Sequence, residues 1–293
     1  MAYKHGVYTS EVETSLTAPI VGTAGLQVIV GTAPVNMLKG PAAAVNVPLL
    51  VNNYKEAVEA VGYNDDFEAY TLCECISAAF SVVGVAPMVL INVLDPAKHK
   101  ADISEKTMQV NDGVAVLDEV GVLLEGLTIK ADATPLEAGK DYTTTWNNDG
   151  TLNIVLLKGG AGEEATTLTA TGSKIDPSKV KAADIVGILL APRFSADATV
   201  SAALQAKTKS INSVFGAVCI VDINSKTDGA VKYTDVKTKK EEQAVSDPNA
   251  YAVWPYAKVG EVVYSGSALA AALTAYTDAQ NDDTPNVSPS NKK

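Results

Sequence analysis

The sequence predicts an α/β protein, with a discontinuous α/β core domain, an inserted small β-rich domain and an extended N-terminal arm. Three observations carry this expectation. Short apolar runs alternate with stretches of helical spacing on both sides of the chain's middle. The middle itself has alternating apolar residues, turn residues and little helical period, while the first 22 residues have neither pattern. The expected division is an arm over 1–22, core over 23–100, insertion over 101–181 and core again over 182–293.

In the arm, Gly6-Val7-Tyr8-Thr9-Ser10-Glu11-Val12 mixes β-branched and aromatic residues with polar ones, a composition suited to a strand. A polar tether containing a proline follows it. Leu26–Val30 reads as a buried strand ending at Gly31-Thr32-Ala33-Pro34. Tyr54, Ala57, Val58 and Val61 then recur at i, i+3, i+4 and i+7, with Asn52 or Asn53 as the cap and Gly62 just past the end. A second helix is expected from about Phe67 to Val83, with Asp65, Asp66 and Glu68 at its start and Tyr70, Cys73, Ile76 or Ser77, and Phe80 along one face. Met88–Leu94 is a continuous apolar strand of the kind covered on both faces.

Within the insertion, Leu127, Ile129 and Ala131 alternate with polar residues, as do Leu152, Ile154 and Leu156 after the Asn148-Asp149-Gly150 turn. A Thr-rich run, 166–169, follows. The α/β pattern resumes with a strand at Ile185–Leu190, a helix at Ala198–Ile211 carrying Val200, Leu204 and Ile211 on one stripe, and a strand at Val214–Ile223. A last helix is expected from Ser267, as cap, to about Ala279.

Composition narrows the function. The chain has 293 residues, 47% of them apolar, which is enough for a buried core, and a formal charge of −11. An acidic chain lacks the clustered cations that phosphate backbones require, so nucleic acid is not an expected partner. Arg193 is the only arginine, and a bidentate clamp on a phosphate or carboxylate is therefore not expected. No apolar run approaches the roughly 20 residues of a membrane span, and Met1–Ser10 lacks the apolar core of a secretion signal.

The search for catalytic chemistry returns little. Cys73 and Cys75 would point about 200° apart on a helix and cannot grip one metal ion; Cys219 sits inside an apolar strand. The Gly-rich stretch Leu157–Glu164 carries two carboxylates where a phosphate loop needs Lys and Ser or Thr. His5 and His99 lie in the arm and in a Lys-flanked loop. Asp95 and Asp222, near the carboxyl ends of apolar strands, are the best candidates for an active site, although a carboxylate there is more often a turn or capping residue. No catalytic residue, cofactor or metal is assigned.

Several motifs, in order along the chain, resemble contractile tail sheath proteins of bacteriophages and R-type bacteriocins. Gly6–Val12 is similar to the family's "GVYxxE" start, and Val28-Ile29-Val30-Gly31-Thr32-Ala33-Pro34 to its "xxVGTAP" strand and turn. The helix before Gly62, the strand Val89–Leu94, Leu190-Ala191-Pro192 ahead of a helix, and Cys219-Ile220-Val221-Asp222 also fit. Ala252-Val253-Trp254-Pro255-Tyr256 resembles "a-x-x-P-W/Y", with Trp here preceding the Pro, and Ser288-Pro289-Ser290-Asn291 resembles "SPxN". The resemblance implies a structural, non-enzymatic subunit that polymerises helically around a tail tube and contracts to drive it through a cell envelope. It implies other copies of the sheath protein as partners, with tail tube protein and baseplate, and a place in a virion tail or bacteriocin particle made in the bacterial cytoplasm. It assigns inter-subunit strand pairing to Gly6, Val7, Tyr8, Thr9, Ser10, Glu11 and Val12. Family members continue past "SPxN" into a further domain with a second arm, so this chain is expected to lack that domain and to be mainly monomeric alone. The alternatives are an α/β binding or adhesion module with a β insertion, and a hydrolase built on Asp95 or Asp222.

Overall fold

The computed structural model describes residues 20–21, 26–38, 40, 44–180, 190–208, 217–282 and 288–290. A two-residue strand, Ile20–Val21 (β1), opens the described chain, and Gln27–Gly31 (β2) follows with Ile29 and Val30 fully buried. Leu49–Val51 (β3) leads into the helix Tyr54–Val61 (α1). Both ends of α1 are those expected. The Asn53 side chain accepts from Glu56 N–H at 2.9 Å, the Glu56 carboxylate reaches back to Asn52 N–H at 2.9 Å, and Gly62 turns the chain away at φ +80°. A side chain at Gly62 would sit 2.5 Å from the Pro34 carbonyl oxygen, so glycine also lets the helix end close against the turn after β2.

The second helix departs from expectation in two ways. It starts at Thr71 rather than Phe67, running Thr71–Ile76 (α2), and continues with π-type bonding over Ser77–Val83. Asp66 holds a turn by accepting from Ala69 N–H at 3.2 Å, and Thr32 and Thr71 bond to each other's backbone and hydroxyl groups. Leu72 N–H goes to Thr32 O at 3.0 Å, so these contacts with the β2 turn fix where the helix begins. It also has no single buried stripe: every residue from Thr71 to Phe80 is buried. Such an all-round buried helix lies inside a layer rather than on it.

Val85–Ala86 (β4) pairs in parallel with β1, and Met88–Asn92 (β5) pairs in parallel with β2 and antiparallel with β3. Past the middle of the chain come the helix Ala198–Lys207 (α3), Cys219–Asp222 (β13) and Ala250–Val253 (β14), the last two parallel. Leu190 joins the halves, bridging Ile29 on one side and Ile220 on the other. The core sheet therefore reads β3–β5–β2–Leu190–β13–β14. The expected strand at Ile185–Leu190 falls outside the described residues apart from Leu190, as does the end of the helix expected to reach Ile211.

Between the halves, Lys100–Asn111 (β6), Val114–Leu117 (β7), Thr128–Ala131 (β8), Thr134–Leu136 (β9), Tyr142–Trp146 (β10), Leu152–Leu156 (β11) and Thr167–Ile175 (β12) form one antiparallel sheet in the order β10-β11-β7-β6-β12-β8-β9. The outermost strands β9 and β10 are joined by residues 137–141 alone, with Ala138 bridging Tyr142, and the sheet curls around its own core of Ile103, Ile129, Leu152, Ile154 and Leu168. This core is distinct from the cluster around the α/β sheet, which Ile175 and Leu123 join.

The remaining elements are Tyr233–Glu242 (α4), the hairpin Ala257–Val259 (β15) and Val262–Tyr264 (β16), and Gly266–Gln280 (α5). Ser265, not Ser267, stands at the start of α5. Ala268, Ala271, Ala272 and Ala275 give α5 a buried face of small side chains, which permits its close approach to the Ser77–Val83 turn. Among the described residues no helix is long and apolar enough to cross a membrane.

Candidate functional site

Asp222, the last residue of β13, is fully buried, neither a solvated turn nor an open ligand site. Its Oδ1 accepts from Ser267 N–H at 2.8 Å; its Oδ2 accepts from Ser267 Oγ at 2.6 Å and Arg193 N–H at 2.9 Å. Asp222 N–H donates to Ser195 Oγ at 2.8 Å, and the Gln243 amide donates to the carbonyl oxygens of Ser195 and Asp222. The carboxylate thus caps α5 from a different element and ties the Leu190-Ala191-Pro192-Arg193 segment to the end of β13. Burial pushes the Asp222 carboxyl above the ordinary aspartate value, against these hydrogen bonds.

Arg193 overturns the expectation that a lone arginine would form no bidentate clamp. It grips Glu74 of α2 with Nε to Oε2 at 3.0 Å and Nη2 to Oε1 at 3.2 Å. Glu74 is wholly buried and accepts a further bond from Ser265 N–H. Arg193 Nη2 also donates to Val263 O at 3.1 Å, and the guanidinium lies 5.4 Å from the centre of the Tyr256 ring. Composition counts arginines but not their partners; Glu74 is hidden in a helix whose neighbours are apolar. Burial pushes the Glu74 carboxyl up as well, although Arg193 pulls it the other way. Arg193 holds a positive φ of +63°, a strained backbone worth about 1–3 kcal/mol that the surrounding contacts must offset.

One consequence concerns pH. A carboxyl whose folded pKa is raised contributes stability at low pH that is lost as pH rises from about 4, the unfolded value, through the folded one. Asp222→Asn removes that titration. The stability of the natural chain relative to Asp222→Asn is expected to fall with rising pH across this window, as urea melts at a series of pH values would register; a flat difference would contradict it.

The other candidates resolve into structure. Asp95 Oδ1 accepts from Ala97 N–H at 2.9 Å and Asp95 N–H donates to His99 Nδ1 at 2.9 Å, so Asp95 organises a turn. The amide of Gly159 is taken by Glu163 of the same loop and that of Ala161 by Asp141 of the segment before β10, so carboxylates of the protein occupy donors a phosphate would use. Burial raises the Cys73 thiol to about 12 and Cys219 to about 11, and Cys75 is also raised; all three are free and buried. Among the described residues no group of three or more His, Cys, Asp or Glu could hold a metal ion. Gly6, Val7, Tyr8, Thr9, Ser10, Glu11 and Val12 lie outside the described residues; what is placed is the root of their tether, where β1 pairs with β4.

No protein-family model matches the chain, and no solved structure matches it. Among curated proteins, the tail sheath protein of Burkholderia phage BcepMu is 30% identical over 187 residues, which is 63% of this chain and 36% of that protein. The chain thus spans little more than a third of the length of the curated relative it matches. The kinship bears out the resemblance read from the motifs.

Proposed function

We propose that this chain is a structural part of a contractile tail sheath, a subunit that packs helically around a tail tube and shortens to drive it through a cell envelope. The single observation carrying the reading is the kinship with a tail sheath protein over 187 residues. The fold is compatible with it. A buried ionic joint, Glu74–Arg193, binds α2 to the segment after Leu190, and Asp222 binds that segment to β13 and α5. Such a joint lets the α/β core move as one body when its neighbours are rearranged.

In this reading residues 101–181 form an inserted domain interrupting a discontinuous core, and Gly6–Val12 pairs with a neighbouring copy by strand addition. A seven-residue strand with about five bonds near 1 kcal/mol each supplies roughly 5 kcal/mol before ordering costs. That corresponds to binding in the high-micromolar to millimolar range, so a lattice needs several such links per subunit acting at high effective concentration. The tail tube and baseplate are the other partners, and the isolated chain is monomeric at micromolar concentration.

Antibodies raised against this chain provide the test. They are expected to decorate contractile tails along their whole length in electron micrographs, in both long and shortened states. Labelling absent from the tail, or confined to one end, would overturn the reading.

A further inference from the structure

We propose that the tip of the β15–β16 hairpin docks end-on into an apolar groove, formed by α1, β3 and Met37–Leu38, on a second copy of this chain. It rests on the sheath reading for there being a lattice of copies, and on the shape and charge of two surfaces for where they meet. β15 and β16 pair only with each other among the described residues. Their turn, Gly260-Glu261, projects: a side chain added at Gly260 would meet nothing within 4 Å. Around it stand three exposed valines, Val259 and Val262 at 38% and Val263 at 47%. The pairing puts Val259 and Val262 on one face of the hairpin and Val263 with Lys258 on the other, so the tip has apolar groups on both sides.

A bare two-stranded hairpin is marginal in water, and this one is held at its root. Arg193 Nη2 donates to Val263 O at 3.1 Å, the Tyr264 hydroxyl lies 2.8 Å from Ser77 Oγ, and the Tyr264 ring packs on Phe67 with centroids 5.4 Å apart. Apolar side chains carried on a fixed projection lose little freedom on docking, which favours a contact surface. Scattered surface valines require no explanation, but three around one projecting turn do.

The groove supplies the complement. It has a volume of about 650 Å³, in the range of clefts that enclose several apolar groups, and is lined by Met37, Leu38, Leu49, Val58 and Ala60. Glu59 also lines it; its side chain is 66% exposed, and its ion pair with Lys55 at 3.8 Å is a loose, solvated one. The hairpin brings the exposed Lys258 next to Val259. A lysine behind an apolar tip thus matches a glutamate at an apolar groove, and a copy's hairpin fits in both shape and charge. The groove involves β3, the outer strand on one side of the core sheet, and the hairpin follows β14, the outer strand on the other. A contact between unlike patches repeats head to tail instead of closing as a pair, the geometry from which a helical array grows. A four-residue tip cannot bury the roughly 1,200–2,000 Å² of a stable interface, so chains stay apart in dilute solution and join where several contacts form together.

Cross-linking between chains each given one new cysteine tests this, because the three native thiols are buried and hard to ionise. One full chain carries Val262→Cys and the other Ala60→Cys; the control mixture replaces the second with Val116→Cys, an exposed position on the insertion. Under mild oxidation the disulfide joining positions 262 and 60 of different chains should form about tenfold faster than the control disulfide, and its rate should rise with protein concentration. Adding Val259→Glu to the first chain should bring it down to the control rate. Lys258→Glu there should slow it severalfold, and Glu59→Lys in the other chain should recover it. Equal rates in the two mixtures would overturn the proposal and leave the groove to a different partner. A preference that survives Val259→Glu, or a charge swap that recovers nothing, would overturn it too. The antibody labelling of tails reads a different property, so the two readings fail separately.

Discussion

Arg193→Met is expected to cost about 3–5 kcal/mol of folding stability, because it leaves the fully buried Glu74 carboxylate without its counter-charge. The guanidinium is also the group that links α2 to the β16 backbone at Val263 and packs over Tyr256, so its loss loosens three elements together. Arg193→Lys recovers little, since an ammonium cannot reproduce two parallel bonds from a planar fork. Adding Glu74→Gln to Arg193→Met should restore much of the loss: it removes the stranded charge and keeps an acceptor for Ser265 N–H. Urea unfolding of the two single variants and the double variant measures this as a cycle. A cost below about 1 kcal/mol for Arg193→Met would show that water reaches the pair and that the joint is not what binds these elements.

The second large effect concerns assembly. Deleting residues 1–19 from the chain in its producing phage or particle is expected to abolish sheath formation, leaving tubes bare in electron micrographs, while the described core still folds. Sheaths of normal length and frequency on deleted particles would show that linkage between subunits runs through other surfaces. Loss of the folded core, seen as loss of cooperative melting, would show instead that the arm is needed for folding.

The elements that were legible in the sequence are those whose information is local. α1 carries its stripe, its cap and its terminating glycine within ten residues, and its bounds fall where these signals put them. The strands β2 and β5 and the hairpin around Gly150 were equally visible. β6 was not, for a definite reason. Its two buried residues, Ile103 and Met108, are five apart and would face opposite sides of a regular strand. A bulge between the Ala170–Lys106 and Gly172–Ile103 pairings puts an extra residue on β6 and brings both inward. No alternation survives in the sequence because the register changes midway.

α4 was hidden differently: none of its residues is buried, so it has no apolar stripe to read. At the ionic joint, Asp222 was singled out for its place at a strand end, but its true partners come from residues 193, 195, 243 and 267. Glu74 and Arg193 are 119 positions apart, and nothing local in either neighbourhood announces the other. Long-range polar pairs of this kind are set by how the layers meet, which is the part of a fold that periodicity does not encode.

The two-residue pairing at the root of the arm bears on how load would travel. Because the chain continues from β1 into β2, tension arriving along an arm of the proposed kind would be passed lengthwise into a strand paired in parallel with β5. Pulled in that direction, the ladder between β2 and β5 would shear as a set instead of peeling apart rung by rung, so in the proposed lattice a tug from a neighbour would be shared by all of its bonds at once.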